Sequence, residues 1–267
     1  MPKVKLPAPP LPEALRPAPK RPGSPSRTPV ESAAEAGAHI VDWVDERTSL
    51  SGGLRWVLFR KVPRGTNWFY TLGSATMFAF LSQAITGVFL AMYYRPDASG
   101  GAYESMRHIN DNVFLGEFVH GMHKWGSTVM VILVFMHMAR TFFFGAYKYP
   151  RELNWVIGVA LLILTMAMAF TGYLLPFDQR SYWATVVGVN INGTGPLVGP
   201  YLSDFLRGGA EFGATTLSRF YAIHMMLVPG LIAALIGAHL YLVMKLGTTA
   251  PPWLKPKTAD ELTEERA

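Results

Sequence analysis

Four histidines sit inside long apolar runs of the chain, as two matched pairs. His123 and His137 are fourteen residues apart, and His224 and His239 are fifteen apart. A histidine in a lipid-spanning helix is costly and generally functional. Fourteen residues is nearly four helical turns, so both members of a pair face roughly the same way, about 21 Å apart. Two such helices side by side offer two imidazole sandwiches, each able to hold a flat haem by both axial positions. An iron ligated in this way has no open site for oxygen or substrate, so its chemistry is electron transfer. The bland alternative is buried histidines hydrogen-bonded to neighbours. It suits a lone histidine better than four matched in depth and spacing. A shared zinc ion fits poorly, because ligands about 20 Å apart along a helix cannot reach one ion.

Glycines repeat the interval. Gly73 and Gly87 are fourteen apart in the first apolar run, and Gly158 and Gly172 are fourteen apart in the third. A macrocycle pressed against a helix needs a missing side chain. Glycine in a membrane helix more often reflects helix packing, but the match to the histidine interval in both helices favours the haem reading.

The elements that position these residues are set by hydropathy. Half of the 267 residues are hydrophobic, and they collect into four runs long enough to cross a hydrocarbon core of about 30 Å. The runs are Trp68–Tyr94, Phe118–Phe144, Leu153–Phe177 and Phe220–Met244, with Pro229 expected to kink the last. The fold class expected is therefore an all-α membrane protein, a bundle of four transmembrane helices. Residues 1–35 are rich in Pro, Ala and basic side chains and are expected to be a disordered extension. Residues 36–64, with Trp43, Trp56, Val57 and Phe59 among charges, read as an interfacial amphipathic segment that Gly52–Gly53 breaks. Residues 65–250 form the four-helix domain, and 251–267 a polar tail. Segment 178–217 reads as surface helices near 179–189 and 197–207, joined by a Gly/Asn/Pro-rich turn. There is no internal repeat.

Charge and cysteine narrow the function. Basic residues flanking apolar spans account for the net charge of +6, so nucleic acid is not expected as a partner. Their bias toward the N-terminal segment, the 145–152 loop and the tail places both termini on the cytoplasmic side. The absence of cysteine excludes disulfides, thiolate-held clusters and thioether-attached haem on this chain. With the second and fourth spans parallel, equal depth pairs His123 with His224 near the outer side and His137 with His239 near the inner side. Two non-covalent b-type haems would then stack across the membrane.

At this point the chain resembles cytochrome b of the quinol–cytochrome c/plastocyanin reductases. The likeness covers about residues 55–250 and the N-terminal four-helix half of that family. Its motifs are HKWGSTVMVILVFMHMAR, TGYLLPFDQRSYW, and TLSRFYAIH followed by AHLYLVMKLG. The fifteen-residue gap and the PRELNW loop resemble the short, split version, in which a separate subunit carries the remaining helices. The chain stops where that version stops, so such a partner is expected.

The resemblance implies further roles. Arg140 would bind a propionate of the inner haem with Trp155 nearby, and Arg219 would lie near the outer haem. Unaided by the family, these three read as interfacial snorkelling and aromatic anchoring. Gly172, Tyr173, Leu174, Phe177, Tyr182 and Val186 would contribute an apolar slot for quinol on the outer side. Lys245 and the Trp56–Phe59 segment would wall an inner quinone site. Partners implied are a Rieske iron–sulfur protein, cytochrome c or a similar acceptor, membrane lipid and a second copy of the complex, in a bacterial plasma membrane. The chain departs from the pattern at His120, where the family often has Arg, at Phe177, where Trp is usual, and at Met244. Thr71 stands where the split version often carries a cysteine for an extra haem. Two alternatives stay open on the residues alone: a dihaem anchor of a hydrogenase or formate dehydrogenase, and a haem-free channel or structural subunit.

Overall fold

A computed structural model of the chain describes residues 29–49, 51–52, 59 and 62–254. Most of the proline-rich extension, Gly53, Trp56, Val57 and the tail beyond 254 lie outside the described residues. Helix α1 spans Pro29–Thr48. It starts seven residues before the boundary expected at 36, because its opening PVESAAEAGA is rich in alanine and glutamate, which favour helix without needing a core. Near its end the Arg47 guanidinium lies 4.1 Å from the Trp43 ring and donates to the Trp43 carbonyl at 2.8 Å.

Residues 63–254 hold the rest. Among the described residues four helices are long and apolar enough to cross a membrane: Trp68–Ala91, Gly116–Phe143, Glu152–Tyr173 and Ala214–Leu246. The first is a 3-10 turn, Trp68–Thr71, leading into α2, Leu72–Ala91. The second is α4, Gly116–Phe143, and the third is α5, Glu152–Tyr173. The fourth begins six residues earlier than the hydropathy suggested. It consists of α8 (Ala214–Ala222), a π-helical turn (Ile223–Leu227) and α9 (Val228–Leu246). Arg219 therefore lies inside a helix.

The π turn is where Pro229 acts. Proline has no N–H for the carbonyl four residues back, and its ring crowds that carbonyl. The helix widens just upstream, and the Val228 N–H bonds the Ile223 carbonyl, five back. A π turn absorbs one extra residue without rotating the helix beyond it. This explains the fifteen-residue histidine gap. At about 100° per residue a fifteenth position would swing off the face shared by fourteen, and the turn around His224 removes that offset.

Three shorter helices, α3 (Gly101–Asn112), α6 (Gln179–Gly193) and α7 (Gly199–Arg207), join α8 at one end of the bundle. The last two match the expected surface helices, whereas α3 has no counterpart among the sequence expectations. Its buried face is Ala102, Ser105 and Ile109, a helical period of one serine and two apolar residues. Ala102, Leu174, Val189, Leu206, Leu217 and Phe220 form a packed core there. Among the spans, α2 packs mainly on α4 and α5 mainly on α9, while the two pairs meet only lightly.

Candidate haem site

The light contact between the helix pairs is where the histidines point. The ring centroids of His123 and His224 are 6.4 Å apart, and so are those of His137 and His239. Two imidazoles on opposite sides of one ion, with metal–nitrogen bonds of about 2.0 Å, would place their centroids about 6.4 Å apart. The pairing expected from depth is the pairing observed. Among the described residues no three His, Cys, Asp or Glu side chains converge on a metal position. A haem iron needs only two protein ligands, since the macrocycle supplies the other four, so the site fits haem better than a free ion.

Each histidine rests on one of the paired glycines. A Cβ on Gly73 would lie 3.1 Å from His137 Cε1, and one on Gly87 would lie 3.2 Å from His123 Cε1. A Cβ on Gly172 would come to 2.5 Å from His224 Cε1, while one on Gly158 would be 3.7 Å from His239 Cε1. The atoms these glycines make room for in the chain itself are thus the histidine imidazoles, whereas their spacing alone pointed to the macrocycle. The fourteen-residue interval recurs because each helix of a pair carries the other's ligand sites in antiparallel register.

Threonines orient one pair. Thr86 Oγ1 donates to the Ser82 carbonyl at 2.7 Å, which leaves its oxygen to accept from His123 Nδ1 at 2.9 Å. Thr171 Oγ1 donates to the Ala167 carbonyl at 2.9 Å and lies 3.3 Å from His224 Nδ1, which also faces the Met168 carbonyl at 3.1 Å. With Nδ1 committed as donor, Nε2 is the nitrogen left to ligate. Each threonine directly precedes a ligand-seating glycine, Thr86–Gly87 and Thr171–Gly172. That repeated dipeptide was a legible signal that a reading centred on histidine spacing passes over. Among the described residues no side chain hydrogen-bonds the rings of His137 or His239; the Asn154 carbonyl faces His239 Nδ1 without good hydrogen-bond geometry.

Arg140 lies one turn beyond His137. Its Cζ sits 3.8 Å from the Tyr70 ring centroid and 5.1 Å from that of Phe144, and its Nε and Nη2 are buried without a partner. An acid group is what such a guanidinium lacks. Trp155 packs with Tyr147 and Phe142, at 5.4 and 6.4 Å between centroids. Arg219 instead caps α7: its Nη1 donates to the Phe205 carbonyl, and its guanidinium stacks 5.3 Å from the Phe205 ring.

The residues proposed for a quinol slot are only partly together. Phe177 and Tyr182, 5.9 Å apart edge-to-face, line an open cleft of about 310 Å³ with Ala98, Asp178, Gln179 and Trp183. Val186 is half-buried one turn past Tyr182 on α6. Leu174 is 1% exposed and belongs to the packed core, Gly172 seats His224, and Tyr173 is 49% exposed. Phe177 adopts φ +50°, a left-handed conformation uncommon outside glycine, which re-aims the chain as it leaves α5. Tyr94 Oη, absent from the sequence expectations, donates to the Leu175 carbonyl at 2.6 Å and ties that turn to the end of the first span. Lys245 is exposed, 5.9 Å from the Tyr241 ring one turn back.

Comparison with known proteins bears directly on this geometry. Residues 58–247 match the family model for cytochrome b/b6/petB. Cytochrome b6 of Heliobacterium modesticaldum is 41% identical over 213 residues, 79% of this chain and 100% of that protein. The menaquinol:cytochrome c reductase cytochrome b subunit of Geobacillus thermodenitrificans is 39% identical over 220 residues, 79% of this chain and 98% of that one. A solved structure of a hyperthermophilic respiratory complex III superposes with a TM-score of 0.73 at 30% identity, covering 82% of this chain and 59% of that chain. Four spans, two matched histidine pairs on glycine seats and this likeness converge: the chain belongs to the cytochrome b/b6 family.

Proposed function

We propose that the chain is the dihaem cytochrome b subunit of a membrane quinol:cytochrome c, or similar acceptor, oxidoreductase. It carries electrons between quinone sites on opposite sides of a bacterial plasma membrane and supports proton translocation. The observation that carries this reading is the equal 6.4 Å spacing of both histidine pairs, each ring on its own glycine. Bound b-type haem would supply one-electron chemistry. The chain's own part is to hold and tune it. The four histidines ligate, Thr86 and Thr171 fix two of the rings, and Arg140 meets an acid group. The Phe177–Tyr182 cleft offers an apolar, aromatic wall to a quinol ring.

The remaining helices, an iron–sulfur protein and a cytochrome c-type acceptor would come from partner subunits, in a complex that pairs with a second copy. Termini on the cytoplasmic side put the His123–His224 level outward, and α1, with Ile40, Val41 and Trp43 exposed, would lie at the membrane surface. Family membership weighs against the hydrogenase-type anchor and the haem-free channel.

The test is a redox-titrated visible spectrum of the purified complex, with pyridine haemochrome quantification and subunit identification. Two b haems per chain and a co-purifying Rieske protein are expected, and His137→Leu should remove one haem and leave one. A haem-free complex, or two haems surviving in that variant, would overturn the proposal.

A further inference from the structure

Each threonine that orients a histidine ring directly precedes a glycine seat, at Thr86–Gly87 and Thr171–Gly172. At the other level the residues in that place are Leu72 before Gly73 and Ile157 before Gly158, and neither side chain can accept a hydrogen bond. An imidazole that ligates through Nε2 carries its proton on Nδ1, and that donor is held by an acceptor in nearly every such site. Leaving it buried and unpaired costs about 1–3 kcal/mol. An acceptor for His239 therefore has to come from another residue.

Among the described residues, His239 Nδ1 is buried without a hydrogen-bond partner, and so is Asn154 Oδ1. One is a donor and the other an acceptor. They belong to the packed helices α9 and α5, and the Asn154 carbonyl already faces Nδ1, out of line for a bond. Asn154 precedes Gly158 by four residues, so the two share one face of α5, one turn apart. The Gly158 seat is also the loosest of the four, 3.7 Å from its ring against 3.2 Å or less at the others. His239 thus has room to turn that the other three rings lack.

We infer that Asn154 is the positioning residue of His239: in the haem-loaded protein its side-chain amide oxygen accepts from Nδ1 and leaves Nε2 to ligate. This rests on the dihaem reading above. Two polar atoms that are each costly alone then satisfy one another, and an amide does so without burying a charge. Asn154 supplies from one turn away what Thr86 and Thr171 supply from the position next to the seat.

The test uses the full complex with Asn154→Leu and Asn154→Ala, which remove the amide oxygen, and Asn154→Asp, which keeps an acceptor there. The haem to watch is the one that His137→Leu eliminates. A donor bond from Nδ1 makes the imidazole more basic and favours the oxidised iron. Losing a neutral bond should therefore make that haem about fivefold easier to reduce, a rise of about 40 mV in its midpoint. The rise should appear in both removal variants, and the low-spin EPR signal of that haem should move with it as the ring is released. Asn154→Asp should leave the midpoint at or below the wild-type value, and the other haem should stay unchanged in all three. An unmoved midpoint and EPR signal in the removal variants, an equal rise in Asn154→Asp, or an equal shift of both haems overturns the inference. Should Asn154→Leu fail to assemble, Asn154→Ala alone decides. If the wild type lacks the haem altogether, it is the dihaem reading that has failed.

Discussion

The two ends of the bundle solve the same ligation problem differently. At the His123–His224 level both rings are held by a threonine, His224 is 7% exposed, and α3, α6, α7 and α8 close the end with a packed core. At the His137–His239 level no side chain among the described residues orients either ring, and the closing elements are turns around 63–67, 144–151 and 247–254. There the packing is aromatic: Trp253 meets Phe144 edge-on at 5.4 Å and lies against Gly65. The first level is finished by the chain itself. The second is left with unpaired polar atoms. A closed site whose ligand rings are hydrogen-bonded fixes a ligand's electronics in advance, whereas an open one leaves them to bound groups and partners.

The largest expected effect separates the levels by a single methyl group. Gly172→Ala places a Cβ 2.5 Å from a ring that Thr171, the Met168 carbonyl and burial hold in place, whereas Gly158→Ala places one 3.7 Å from His239, ordinary contact. Overpacking of this kind costs about 1–3 kcal/mol. Gly172→Ala should therefore lose most of one haem by pyridine haemochrome assay, and Gly158→Ala should keep both. Gly73→Ala and Gly87→Ala should fall between. Equal haem content in Gly172→Ala and Gly158→Ala would dissolve the contrast between the two levels.

This grading was not legible in the sequence, although its ingredients were. Hydropathy gave the four spans to within a few residues, and matched spacing gave which histidine rings face each other, because both depend on one-dimensional periodicity. The π turn escaped because it depends on how Pro229 and its neighbours share hydrogen bonds, which no spacing rule reports. Helix α3 escaped because Ala102, Ser105 and Ile109 make only a short apolar stripe in an otherwise polar segment, and burial by partners, not hydropathy, selects it. Arg140 was found through its family role, but its stacking on Tyr70 is a contact between separate elements. The same holds for Arg151, whose Nη2 and Nε reach the Leu246 and Gly247 carbonyls at 3.1 and 3.4 Å and cap the end of α9. That Leu174 packs into the core was not legible, because an apolar residue beside a cleft and one beneath it look alike in sequence.

A smaller effect sharpens the comparison electronically. An Nδ1–H donor bond raises the basicity of a ligating imidazole and favours the more positive iron. Thr86→Val and Thr171→Val each remove one acceptor. A neutral hydrogen bond is worth about 0.5–1.5 kcal/mol, and a tenfold change in a one-electron equilibrium is about 59 mV. Each variant should raise the midpoint of the His123–His224 haem by about 20–60 mV and leave the other haem where it is. A shift shared by both haems would show that the threonines act through the whole bundle instead of through their own rings.

The smallest effect concerns the closure itself. Burial pushes the Tyr94 hydroxyl well above the ordinary tyrosine range, with the neighbouring Tyr221, 5.5 Å away between ring centroids, acting in the same direction. A raised folded pKa means that this group's contribution is complete below the unfolded value near pH 10 and is lost as pH climbs through the folded value. The bond from Tyr94 to the Leu175 carbonyl should therefore hold unchanged from pH 7 to about pH 10. Tyr94→Phe should cost about 1 kcal/mol at any pH in that window. That cost should be local, since the tyrosine ties the turn that carries Phe177 and not the ligands. Amide exchange over residues 174–178, corrected for intrinsic rates, should rise about fivefold in Tyr94→Phe, while both haem spectra stay as in the wild type. Unchanged exchange in that variant would mean that the surface helices hold the turn without the latch. The closed end would then owe its order to the core of Leu174, Leu217 and Phe220 alone.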